Sequence, residues 1–110
     1  MISVNSSNSQ KALLSGDKEA LFRNLFIYQY PAFMYVLRKE IPNITRNEEL
    51  MSMLIVLNQR TQEMASLLCI SPSSVNQARY RLRKRIGLKP GEGLDSYIKQ
   101  VFQKSCDVKN

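Results

Sequence analysis

Apolar positions recur at helical intervals from Leu21 onward, and no segment alternates in the manner of a strand. In "DKEALFRNLFIYQYPAFMYVLRKEI", Leu21, Phe22, Leu25 and Phe26 share a helical face. Acids gather at the start and bases near the end, as a helix dipole favours. Pro31 interrupts the pattern, and a proline inside a helix costs about 3 kcal/mol. The spacing therefore predicts a kink or break there. Pro31 then opens a second segment through Phe33, Met34 and Leu37, which Pro42 and Asn43 end.

"TRNE", Thr45 to Glu48, is a capping-box signature for a helix through Leu50, Met51, Met53, Leu54, Ile55, Val56 and Leu57. A helix apolar on nearly every side must be covered by several neighbours. Asn58 tolerates the left-handed conformation and is the expected stop. Thr61 is the expected cap of a shorter helix facing inward with Met64, Ala65 and Leu68, and "LCIS" makes a turn. Ser71 suits an N-cap, and Pro72 suits the first helical position. That helix should end at Gly87, and "KPGEG" forms a loop. Leu94, Tyr97, Ile98, Val101 and Phe102 then make a clean amphipathic stripe.

The expected fold is all-α, with a bundle of four helices preceded by one kinked or two short N-terminal helices. "MISVNSSNSQ" has little to bury. The expected division is a flexible tail or linker over 1–14, an N-terminal helical extension over 15–43, the bundle over 44–105 and a tail over 106–110.

A chain of 110 residues is the size of one domain. Its formal charge is +7, which favours a polyanionic partner without choosing one. The distribution says more: between Glu63 and Glu92 there is no acid, while Arg79, Arg81, Arg83, Lys84, Arg85 and Lys89 fall in the interval. On the helix over 72–86, Val75, Ala78, Leu82 and Ile86 gather on one side. The opposite side presents Ser73, Gln77, Tyr80 and Lys84, flanked by Asn76 and Arg81, with Arg79 and Arg83 at one shoulder. Hydroxyls, amides and cations are the groups that pair with base edges and phosphates. A solvated surface helix would mix signs, whereas Arg79 and Arg83, like Arg81 and Arg85, stand at repulsive spacing. The residues thus point to double-stranded DNA, with a solvated or protein-facing surface as the alternative.

From Thr45 onward the chain resembles the LuxR-type (GerE-type) helix-turn-helix domain of bacterial transcription regulators. The matching residues are Ile44, Thr45 and Glu48, then "TQEMASLLCISPSSV" and "RIGL", with no insertion or deletion between Glu63 and Leu88. "YPAFMYVLRKEIPNIT" and "ARYRLRK" extend the likeness to a sub-type common in Bacteroidetes regulators, over roughly residues 17 to 104. The resemblance implies a DNA-binding transcriptional regulator, or the DNA-binding part of one. By position, Asn76, Gln77 and Tyr80 would read bases. Ser74, Arg79 and Arg83, with Thr61 and Gln62, would lie at or near phosphate, and the helix face itself adds Ser73, Arg81 and Lys84 as phosphate candidates. It also implies a homodimer, at least on DNA, through Tyr97, Val101 and Phe102. The alternative is that these three close the monomer's own core. The chain departs from the family at Asn76, where Lys is usual, and at Ala78, often His.

"SGDKEALFRNLFIYQYPAFMYVL" is similar to the opening of region 2 in extracytoplasmic-function sigma factors. With Phe22, Phe26, Tyr28, Tyr30 and Phe33, it suggests a module that contacts RNA polymerase or a sensor partner, or simply core. Enzyme chemistry is not expected. Histidine is absent, and there are neither paired carboxylates nor a glycine-rich phosphate loop. No cofactor, metal or small-molecule ligand is expected, since Cys69 and Cys106 alone cannot build a thiolate site. Two cysteines without a signal-peptide pattern suggest a cytoplasmic setting. The longest apolar run, Met53 to Leu57, is too short to span a membrane.

Overall fold

The computed structural model describes residues 7–108, with side chains over 18–107. Six helices follow in order among these residues: α1 (Ser7–Gln29), α2 (Pro31–Glu40), α3 (Arg46–Val56), α4 (Thr61–Leu68), α5 (Pro72–Ile86) and α6 (Leu94–Val108). No described residue lies in a strand. No helix among them is long and apolar enough to cross a membrane.

Local chemistry sets most boundaries. Pro31 stands at the first position of α2, and the chain breaks at Tyr30, where φ is −131°. Thr45 and Glu48 form the capping box: the Glu48 N–H donates to Thr45 Oγ1 at 3.1 Å, and the Thr45 N–H donates to Glu48 Oε1 at 2.9 Å. Ser71 caps α5 by accepting from the Ser74 N–H at 3.1 Å. Gly87, at φ 86°, closes the same helix, because a left-handed residue returns the chain at least strain when it has no Cβ. Asn43 and Asn58 take positive φ after α2 and α3.

Three boundaries differ from the sequence expectation. The first helix starts at Ser7, inside the stretch expected to be a tail; residues 1–6 lie outside the described residues. Likewise α6 continues to Val108, so only 109–110 of the expected C-terminal tail lie outside the described residues. The N-cap of α4 is Arg60, with Thr61 inside the helix. Glu63 accounts for the shift, because its carboxylate accepts from the Arg60 N–H at 2.7 Å and fixes the entry one residue earlier.

The core is built chiefly from α2, α3, α5 and α6. Phe33, Leu37, Leu50, Met53, Val75, Leu82 and Ile98 are all 0% exposed. As its composition requires, α3 is enclosed, every residue from Glu48 to Ile55 being buried. The most extensive helix pairing is α2 on α6; α4 packs on α5, and α1 lies against α2 and α4. An aromatic cluster ties the ends together: Phe33 meets Phe26 and Phe102 at 5.6 Å between ring centres, and Tyr30 meets Phe102 at 4.9 Å. Tilted and edge-on rings at these separations add to simple burial.

Two acids sit in this core. Glu48 caps α3 and also binds Arg85 Nε of α5 at 2.7 Å. Glu49 accepts from Arg23 Nη2 of α1 at 2.6 Å and from Arg38 of α2 at 2.6 and 3.2 Å. One carboxylate thus joins α1, α2 and α3.

The turn between α4 and α5 stores strain. Cys69 adopts φ 59° and ψ 42°, a left-handed conformation that crowds its Cβ. The turn holds because the Ile70 N–H donates to the Ala65 carbonyl at 3.0 Å. Cys69→Gly should raise stability by about 0.5–1 kcal/mol, or a few degrees in Tm. A thermal melt showing no gain would place the strain elsewhere.

Candidate nucleic-acid interface

Val75 and Leu82 turn α5 by burying its inner side, with Ala78 and Ile86 half-buried beside them. Its outer side is thereby fixed. Ser73, Asn76, Gln77, Tyr80 and Arg81 line one shallow concavity on the surface. Lys84 follows one turn on, its Nζ 5.4 Å from the centre of the exposed Tyr80 ring. That distance suits a cation–π contact on the outer face itself, since both side chains are exposed. Neither Arg81 nor Lys84 has a hydrogen-bonding or ion-pairing partner among the described residues. The face therefore combines two amides, a hydroxyl, a phenol and two uncompensated cations.

The remaining sequence-derived residues are placed less simply. Ser74 is half-buried in the cap, where its hydroxyl accepts from the Ser71 hydroxyl at 3.0 Å. Thr61 and Gln62 lie in the first turn of α4 and line an open groove with Arg60, Arg79 and Asp95. The first N–H groups of a helix have no intrahelical acceptor. Arg60, at the N-cap, has no side-chain oxygen to offer them.

Arg79 and Arg83 depart from the sequence picture of two cations without counterpart. Arg79 Nη2 binds Asp95 Oδ1 of α6 at 2.7 Å. Arg83 donates from Nη1 to the Glu92 carbonyl at 2.5 Å and from Nη2 to the Lys89 carbonyl at 3.2 Å. Their shoulder of α5 faces the loop into α6, whose carbonyls and first-turn acid accept from them. With Arg85 on Glu48, the repulsion inferred from the sequence is offset inside the chain. Arg81 and Lys84 are the cations that remain outward.

Of the two readings of the Tyr97, Val101 and Phe102 stripe, core closure has packing within the chain behind it. Val101 is buried, and Phe102 packs on Phe33 of α2 and on Tyr30 just before it. Tyr97 is half-buried, and burial pushes its phenol upward; the Glu40 charge adds to this and Lys104 opposes it. The sequence offered closure against the N-terminal helices as the alternative to a contact between copies, but nothing local in it could choose between them.

Sequence reasoning also missed Asp95, Glu92, Glu48 and Glu49 as partners of the arginines. Arg79 and Asp95 are 16 positions apart and Arg23 and Glu49 are 26 apart, with no periodicity to connect them. No family model, no curated protein and no solved structure matches the chain.

Proposed function

We propose that the chain is a sequence-specific transcriptional regulator, or the DNA-binding part of one, that inserts α5 into the major groove of double-stranded DNA. The observation that carries this reading is the outer face of α5. Ser73, Asn76, Gln77, Tyr80, Arg81 and Lys84 stand together, with no acid on that helix and no hydrogen-bonding or ion-pairing partner among the described residues for its two outward cations. A helix of 15 residues is about 22 Å long, and B-DNA's major groove, about 12 Å wide, admits one. Asn76 and Gln77 have the donor and acceptor pair that matches adenine, while Arg81 and Lys84 suit phosphate. Packing of α4 on α5 across a tight turn agrees with a helix-turn-helix, and the LuxR-type likeness over 44–105 supports the same arrangement. A membrane surface fits poorly, because the apolar side of α5 is already buried.

A second reading has its own observation. Leu21, Leu25 and Tyr28 form an exposed stripe on α1, at i, i+4 and i+7. Such a face suits a protein partner, for which RNA polymerase or a sensor domain are candidates.

Fluorescence anisotropy with random-sequence duplex DNA at several salt concentrations tests the first reading. Binding should weaken steeply with salt. Arg81→Ala/Lys84→Ala should lose about tenfold or more on every duplex and flatten the logarithmic salt slope by about 1.8, at 0.9 per phosphate. Gln77→Ala should instead change the ranking of sequences and leave the slope alone. No binding at low salt would remove the DNA reading and leave the α1 stripe as the surface to pursue.

A further inference from the structure

We propose that Asp95 stands in for a DNA phosphate in the free protein, holding Arg79 until the duplex displaces it, and so sets the affinity of the interface. The inference rests on the DNA reading above. Its geometry is independent of the outer face of α5, because Arg79 lies on the shoulder toward α6.

Arg79 binds Asp95 through one nitrogen, Nη2, to one oxygen, Oδ1, at 2.7 Å. A guanidinium can offer two parallel N–H bonds to a carboxylate or phosphate, so this single contact leaves part of its donor fork unused. Both partners reach solvent, with 27% of the Arg79 side chain and 55% of the Asp95 side chain exposed. An exposed pair of this kind is held weakly and is open to exchange. Asp95 lies in the first turn of α6, where the helix dipole favours an anion, which explains why the carboxylate rests there when nothing else is bound.

The surroundings say what would replace it. Arg79 and Asp95 line the same open groove as Arg60, Thr61, Gln62 and Glu63, so the groove brings two cations and the first turn of α4 beside two acids, of which Glu63 is committed to the Arg60 N–H at 2.7 Å and Asp95 is the one that can leave Arg79. A phosphate oxygen entering there meets the Arg79 guanidinium from the side Asp95 now occupies. It also meets the negative charge of Asp95, which opposes every phosphate nearby. Asp95 therefore acts against binding twice, by occupying the cation and by repelling the ligand. Arg83 has no such release: its acceptors are the carbonyls of Glu92 and Lys89, which are neutral and belong to the loop itself.

Replacing the acid by its neutral isostere separates this role from a structural one. Asp95→Asn should bind random-sequence duplex about threefold to tenfold more tightly near 0.1 M salt. In an Arg79→Ala background the same substitution should gain clearly less, since no guanidinium remains to be freed. Thermal melts of all variants confirm that folded protein is compared. If the wild-type chain binds DNA while Asp95→Asn binds equally or more weakly, the stand-in role is overturned and the DNA reading survives. If the wild-type chain binds no duplex at low salt, both fall together.

Discussion

Glu49→Ala should destabilise the protein by about 3 kcal/mol, enough to move a urea midpoint far outside experimental error. The side chain is buried and answers two arginines at once, Arg23 at 2.6 Å and Arg38 at 2.6 Å. Removing it leaves the Arg23 guanidinium, only 11% exposed, without its counter-charge. Arg23 Nη1 is already buried with no hydrogen-bond partner among the described residues, so little remains nearby to compensate. Arg38 is largely solvated and recovers water, which keeps the loss to a few kcal/mol. Because Glu49 joins α1 to α2 and α3, hydrogen exchange should quicken most in α1. Protection in α1 equal to wild type would show that the carboxylate is not its anchor.

The same group makes stability depend on pH. Burial pushes the Glu49 carboxyl upward, but the hydrogen bonds and charges of Arg38 and Arg23 outweigh this, so it lies below the ordinary carboxylate range. Unfolded Glu, near 4.3, binds a proton more readily than the folded group. The contribution is therefore complete above that value and is lost as pH falls through the lower folded one. Glu49→Gln should remove this part of the acid dependence and leave the rest.

Phe33→Ala should cost about 4 kcal/mol and Phe102→Ala about 2–3 kcal/mol, with no change in association state caused by the second. Phe33 is 0% exposed and Phe102 is partly buried, which sets their order. Phe102 covers Phe33 and Tyr30 edge-on, so truncating it opens a gap in the core of a single chain. If Tyr97, Val101 and Phe102 serve a contact between copies, Phe102→Ala alters sedimentation and spares the midpoint of dilute protein. Urea melts with sedimentation of the same samples distinguish the two outcomes.

The pattern of legibility follows from distance along the chain. Caps were readable because Thr45 and Glu48, or Ser71 and Ser74, act across three residues, and the backbone decides the rest. The break at Pro31 and the left-handed Asn58 were readable for the same reason. The early start of α1 was hidden by the Ser and Asn that crowd its first turn, ahead of good helix formers such as Lys11, Ala12, Leu13 and Leu14, and Gly16 interrupts them. Propensity is a weak guide there, since one glycine costs a helix only about 1 kcal/mol. At the candidate interface the inner and outer sides of α5 were legible from the positions of Val75 and Leu82. The division of its cations into tethered and outward ones was not. Arg83 is held by backbone carbonyls, which every residue possesses and no composition can announce.

The pairing of α2 with α6 brings together two helices whose nearest ends, Glu40 and Leu94, lie more than 50 positions apart in the chain. During synthesis α2 is made well before α6, so the side of Phe33 that Phe102 covers stays open until α6 has followed. Late closure makes assembly cooperative, with little stable structure to be had from either half alone. A chain halted before Leu94 would present that apolar face with nothing from α6 to cover it.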